Sequence, residues 1–295
     1  MPASPRFPDL PSGWKETTEQ LEPLKTFVRF WTKEPRTENP RVLFLVHGWG
    51  EHSDRYRHWP HYLQNEIDMI VISDLYGHGQ SPGAKGSCRT SEDWLGGVEL
   101  SFKTMESRLK SEGRRATISV LGHSFGGLVT LELARQERWH SARELFLSAP
   151  LLGLVHEPPA WKTFLGRMIE PFAPQLPLAN DIDAAVVSHD PEVVAHYTAD
   201  PLNHGLITPR AYQQMTEMIA RQVGASSPLK WPVTLLSPLA DPLVSEPIAA
   251  KWFQRLDAGK GAPKQRVTFT GFRHESFNEL EKERAFTELA SRLGR

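Results

Sequence analysis

Thr117-Ile118-Ser119-Val120-Leu121-Gly122-His123-Ser124-Phe125-Gly126-Gly127-Leu128-Val129-Thr130-Leu131-Glu132-Leu133-Ala134 reads as strand, tight turn and helix in succession. The run to Leu121 is apolar and rich in β-branched residues, as a strand buried on both faces would be. Gly122, Ser124 and Gly126 then fit the G-x-S-x-G pattern of a nucleophile elbow. A serine on such a turn is forced into a strained backbone conformation, and glycines two before and two after leave room for the chain to double back. The helix behind it, with Leu128, Val129, Leu131, Leu133 and Ala134, would aim its N-terminal dipole at a developing oxyanion. An ordinary glycine-rich turn is the alternative, and the strand before and helix after favour the elbow.

Outward from the elbow, short apolar runs recur at Thr26 to Trp31, Val42 to Val46, Met69 to Ser73, Leu145 to Ser148, Val233 to Ser237 and Val267 to Thr270. Helical patterns separate them, so the chain is expected to be an α/β protein with a parallel sheet. Ser91 is a candidate N-cap, and behind it Trp94, Val98, Phe102, Met105 and Leu109 form one stripe. Phe286, Leu289 and Leu293 repeat the pattern near the C-terminus. About 80 residues separate Pro150 from Val233, more than one crossover helix needs, so residues 151–231 are expected to be a mostly helical lid inserted into a core made of 1–150 and 232–295. Prolines 158, 159, 171, 174 and 177 crowd its first part. Within it Trp161, Phe164, Leu165, Met168 and Ile169 make an apolar stripe, and Thr208-Pro209 opens a second helix carrying Ala211, Met215, Met218, Ile219 and Val223.

A serine hydroxyl needs a base, and the base an orienting acid. With a nucleophile elbow the order is serine, acid, histidine. By order the bases are His189, His196, His204 and His274; the first three fall in the insertion, and His274 follows the last strand. For the acid, Asp241 lies just past the Val233 to Ser237 strand, at the carboxyl edge where open α/β sheets place their sites. Asp257 competes but lies beyond a helical stretch, Ile248 to Leu256, and would face away. The backbone amides of Trp49, in the loop after the first buried strand, and of Phe125, after the nucleophile, are the candidate oxyanion donors. His47 and Glu51 are expected to brace that loop, and Asp74 and His78 to be structural because they precede the serine.

The chain has 295 residues, enough to bury roughly three quarters of its unfolded surface without disulfide or metal. Lys and Arg number 34 against 35 Asp and Glu, a net charge of −1, which argues against nucleic acid as a partner. A single cysteine, Cys88, suits a reducing compartment. No signal-peptide run or membrane span is evident, so a soluble cytoplasmic protein is expected. Neither a metal site nor a nucleotide fingerprint stands out; His58 and His61, with Pro60 between them, lack a partner ligand at metal spacing, and no cofactor is expected.

His47-Gly48-Trp49-Gly50-Glu51-His52-Ser53 with Arg55-Tyr56, Asp74 to Ser81, the elbow, Tyr197 to Leu202 and Asp241-Pro242-Leu243-Val244 together resemble the monoacylglycerol lipase and lysophospholipase branch of the α/β-hydrolases. The resemblance runs from about Phe27 to the C-terminal helix. It implies an eight-stranded, mostly parallel sheet, a helical cap between the sixth and seventh strands, a Ser124-Asp241-His274 triad and an oxyanion hole at Trp49 and Phe125. Trp49 and Phe125 are bulkier than the small or flexible residues common at those points, and the approach to the acid reads Ser237-Pro238-Leu239-Ala240-Asp241, where relatives often have glycine. The expected activity is hydrolysis of a small acyl ester or lipid, the stripe from Trp161 to Ile169 walling an acyl tunnel, packing on the sheet or touching a membrane surface transiently. A general carboxylesterase, a proline-releasing aminopeptidase, an acyltransferase and a non-catalytic binding protein are the rival readings; an acidic pocket would favour the peptidase.

Overall fold

The computed structural model describes residues 9–294 except 181, 226–228 and 257–262, so Asp257 lies outside the described residues. Three strands open the chain, β1 (Lys15–Leu21), β2 (Thr26–Thr32) and β3 (Arg41–Val46), followed by α1 (Trp59–Leu63), β4 (Met69–Ser73) and α2 (Glu92–Ser111). The elbow region supplies β5 (Thr117–His123) and α3 (Phe125–Arg135), and β6 (Ala142–Ser148) follows. Next come α4 (Ala160–Ile169), β7 (Leu178–Ala179), α5 (Pro191–Ala199), β8 (Leu206–Ile207) and α6 (Pro209–Gly224). The chain ends with β9 (Val233–Pro238), α7 (Glu246–Arg255), β10 (Lys264–Phe269) and α8 (Lys282–Ala290).

Eight strands form one sheet in the order β1-β2-β4-β3-β5-β6-β9-β10, and β7 pairs with β8 apart from it. From β4 to β10 every pairing is parallel, while β2 runs antiparallel to both β1 and β4. The run Thr26 to Trp31 is therefore buried but not parallel, a correction to its expected setting. Alternation along the strands explains why both faces are covered. Val42, Phe44 and Val46 enter the core on one side with residues of α2 and α3, and Leu43 and Leu45 enter the other with residues of α1 and α8. Trp94, Val98, Phe102, Met105 and Leu109 are all buried on α2. Ser91 sits at its N-cap without a side-chain bond; Asp93 instead accepts the Arg89 amide at 2.6 Å.

The residues between β6 and β9 do not behave as one unit. In α6, capped by the Thr208 hydroxyl accepting the Ala211 amide at 3.3 Å, Ala211, Met215 and Met218 are buried in the main core, and Gln222 donates to Glu132 of α3 at 2.6 Å. By contrast α4 buries no residue at all. Among the described residues no helix is long and apolar enough to cross a membrane.

Candidate active site

Ser124 adopts φ 53° and ψ −118°, between the end of β5 and the first turn of α3. Such a conformation costs about 1–3 kcal/mol and persists only because its surroundings hold it. The Ser124 amide donates to the Ser148 carbonyl at 2.9 Å, and its own carbonyl accepts from Gly127, Leu128 and Leu151. A Cβ on Gly122 would lie 2.5 Å from the Gly126 carbonyl oxygen, and one on Gly126 2.1 Å from that of Val46, so the elbow closes only with glycine at both. Among the described residues neither the Trp49 nor the Phe125 amide makes a hydrogen bond.

Asp241 and His274 arrive on the loops after β9 and β10. These loops are tied together by the Leu239 and Ala240 amides, which donate to Phe269 and Phe272 at 3.0 Å each. His274 Nδ1 meets Asp241 Oδ2 at 2.7 Å, while Asp241 Oδ1 accepts the Leu243 and Val244 amides at 2.8 and 3.0 Å. Burial opposes protonation of His274, but the charge and hydrogen bond of Asp241, with Glu275 and Glu51 behind it, lift its pKa above the ordinary 6.5. Burial likewise opposes ionisation of Asp241, and His274 with the two amides outweighs it and holds the carboxyl below 3.8.

Ser124 and His274 both line a pocket of about 300 Å³ together with Gly48, Trp49, Glu51, His123, Leu243 and Glu275. The rest of its wall comes from the chain between β6 and β9: Asn180, Ile182, Ala184, Val187, Tyr197, Thr198, Asp200, Asn203, His204 and Gly205. Trp161, Phe164, Leu165, Met168 and Ile169 are not in that wall, against the expectation that they would line an acyl tunnel. Nor do they pack on the sheet; Trp161 and Phe164 are 63% and 65% exposed. The reason is local: α4 is anchored from its C-terminal end, where Glu170 pairs with Arg210 and Pro174 accepts the Arg210 amide, leaving its apolar face outward.

The other histidines have different employment. His47 Nε2 accepts the Leu75 amide at 2.9 Å, which puts the proton on Nδ1 to donate to the Gly48 carbonyl at 2.8 Å. Asp74 accepts the Ser53 and Gln80 amides at 2.7 and 2.8 Å. His189 pairs with Glu279 at 3.0 Å. The His123 ring lies 4.9 Å from that of His274, tilted by 50°, and its burial, with His274 next, pulls its pKa down to about 4. Among the described residues no cluster of three or more histidine, cysteine or acidic side chains could hold a metal ion.

The family model described as Serine aminopeptidase, S33 (Hydrolase_4) matches residues 37–281. The chain belongs to the Hydrolase_4 family. It is a hydrolase with the α/β-hydrolase fold. A monoacylglycerol lipase of Mycolicibacterium smegmatis is 27% identical over 263 residues, 88% of this chain and 90% of the other. Phospholipase YtpA of Bacillus subtilis is 26% identical over 246 residues, 83% and 92% of the two chains. The crystal structure of Paleococcus ferrophilus monoacylglycerol lipase superposes with a TM-score of 0.73 at 25% identity, covering 95% of this chain and 98% of that one. An uncharacterized abhydrolase domain-containing protein of Dictyostelium discoideum is far longer, and the chain spans 27% of it at 24% identity.

Behind the pocket this Hydrolase_4 chain buries an ionic network whose partners stand up to 220 positions apart. Arg55 grips Glu275 through two bonds of 2.7 Å and Glu51 at 2.6 Å, and Glu51 also accepts the Gly48 amide at 2.6 Å and the Tyr56 hydroxyl at 2.9 Å. Burial disfavours the Arg55 charge, but the two carboxylates, Glu275 first, hold its pKa well above the ordinary guanidinium range. Glu51 braces the loop through these bonds, and nothing in the sequence marks its partner Glu275 beyond adjacency to His274. Arg55→Ala leaves two buried carboxylates without a countercharge and is expected to cost about 3–5 kcal/mol of stability, read by urea unfolding. A loss below about 1 kcal/mol would show that the network is solvated enough to contribute little.

Proposed function

We propose that this protein is a serine carboxylic ester hydrolase that cleaves monoacylglycerols or lysophospholipid-type acyl esters through an acyl-enzyme on Ser124. The observation that carries the reading is that Ser124, strained on its elbow, shares one pocket with an imidazole whose far nitrogen is bonded to Asp241. With Nδ1 donating to Asp241, His274 presents Nε2 as the base. It takes the proton of the Ser124 hydroxyl as Oγ attacks the ester carbonyl, and the Trp49 and Phe125 amides receive the oxyanion. Collapse expels the alcohol with the proton from His274, and water activated by the same imidazole releases the acid.

Residues 151–231 act as a lid in this reading, with Asn180, Ile182, Tyr197, Asp200 and His204 among its pocket-facing residues. The exposed stripe of α4 then serves as the face a lipid surface would meet. The choice of ester is supported by two of the relatives, a monoacylglycerol lipase and a phospholipase. A peptidase would need a free acid to hold the substrate amine. Glu51 and Glu275 line the pocket, but each of their oxygens already accepts a bond from Arg55, Tyr56, Gly48 or Asn278, and Asp200 is held by His52 and the Leu202 amide.

The test is a hydrolysis panel of monoacylglycerols, lysophospholipids, short p-nitrophenyl esters and an N-terminal proline amide, with mapping of the serine labelled by a fluorophosphonate. Label on Ser124 and preference for long acyl chains are expected. A flat response across chain lengths favours a general esterase, and turnover of the proline amide alone would overturn the ester reading.

A further inference from the structure

Trp49 is joined to the protein from two sides. Its indole Nε1 donates to the Leu206 carbonyl of β8 at 3.0 Å, across 157 positions of sequence. The next residues are held by the same segment: the Gly50 carbonyl accepts the His204 amide at 3.0 Å, and His52 Nε2 meets Asp200 Oδ2 at 2.9 Å. On the core side the Trp49 ring meets Phe125 edge-on at 5.1 Å, and Trp94 lies 5.9 Å from Trp49 and 4.9 Å from Phe125. The two residues offered as oxyanion donors therefore touch through their side chains.

An oxyanion donor works only when its N–H lies about 2.7–3.1 Å from the developing charge, and a misplacement near 1 Å can cost about 100-fold in rate. The loop from Gly48 to His52 has no helix or strand to hold it to that tolerance. We propose that the Trp49 side chain is a positioning group for the oxyanion hole: its indole N–H bond to Leu206 ties the Trp49 amide to the inserted segment, and its ring contact with Phe125 sets the spacing of the two donors. The inference rests on the reading of Ser124 as nucleophile. A segment from His204 to Leu206 that parted from this loop would carry off the Leu206 carbonyl and loosen the donor, so ester cleavage is coupled to the docking of that segment.

The test uses Trp49→Phe and a second protein in which Trp49 is replaced by benzothienylalanine, which keeps the bicyclic ring and lacks the N–H. Both are expected to lose about tenfold in kcat on a p-nitrophenyl ester with KM within about twofold, and to bind a trifluoromethyl ketone weaker by the same factor as kcat/KM. The ketone forms an oxyanion on the enzyme, so a change in general packing would not move it in step with the rate. Full kcat in the benzothienylalanine protein overturns the proposal, as does a rise in KM at constant kcat, which would make Trp49 a substrate wall. The two readings fail separately: an active Ser124→Ala removes the nucleophile, whereas an inactive Ser124→Ala beside normal Trp49 variants removes only the positioning role.

Discussion

Ser124→Ala is expected to lower kcat for ester hydrolysis by about 10⁶-fold. Without Oγ no acyl-enzyme forms, and the amides of Trp49 and Phe125 can only polarise a carbonyl for attack by water. The fold should not register the change. Every hydrogen bond that holds the elbow at this residue is made by its backbone, from the Ser124 amide to Ser148 and from Gly127, Leu128 and Leu151 to the Ser124 carbonyl. Alanine keeps the same Cβ at the same φ, so stability should stay within about 0.5 kcal/mol. Steady-state turnover and thermal unfolding of the same preparation check both halves. Retained turnover would place the nucleophile elsewhere, and a collapsed fold would mean that the hydroxyl supports the elbow.

What the sequence shows of this architecture follows from how each element is buried. Seven of the eight sheet strands carry an apolar run, and in six of them the run is buried under helices; β10, at one sheet edge, buries only Phe269. The eighth, β1, reads Lys15-Glu16-Thr17-Thr18-Glu19-Gln20-Leu21 and carries no such run, because it pairs only with β2 at the sheet edge and leaves most of its side chains in water. Asp241 and His274 are legible because each follows a strand at the same sheet edge as the elbow. The wall of the pocket is not. Asn180, Thr198, Asp200 and Asn203 are polar residues in irregular or partly helical chain with no period to detect. The stripe on α4 shows the converse: spacing predicts the helix correctly, yet periodicity identifies an apolar face without saying what covers it. Arg55 and Glu275 meet only once the sheet has brought the loops after β3 and β10 side by side.

Asp241→Asn is expected to lower kcat by about 10⁴-fold while leaving the fold in place. The geometry dictates how. Oδ1 is pinned by the Leu243 and Val244 amides, both donors, so the asparagine oxygen must take that place and its NH₂ must face His274 Nδ1. Nδ1 then accepts, the imidazole proton moves to Nε2, and the nitrogen facing the pocket can no longer take the proton of Ser124. A second signature follows from charge. With Asp241 present, the pKa of His274 lies above 6.5, so kcat/KM should fall as pH drops through that raised value, where the base becomes protonated. Removing the carboxylate leaves burial to disfavour the imidazolium, and the acid limb of the residual activity should move to lower pH. Normal rates in Asp241→Asn would assign the acid to another carboxylate, and a low rate with an unmoved acid limb would show that Asp241 orients the ring without stabilising its charge.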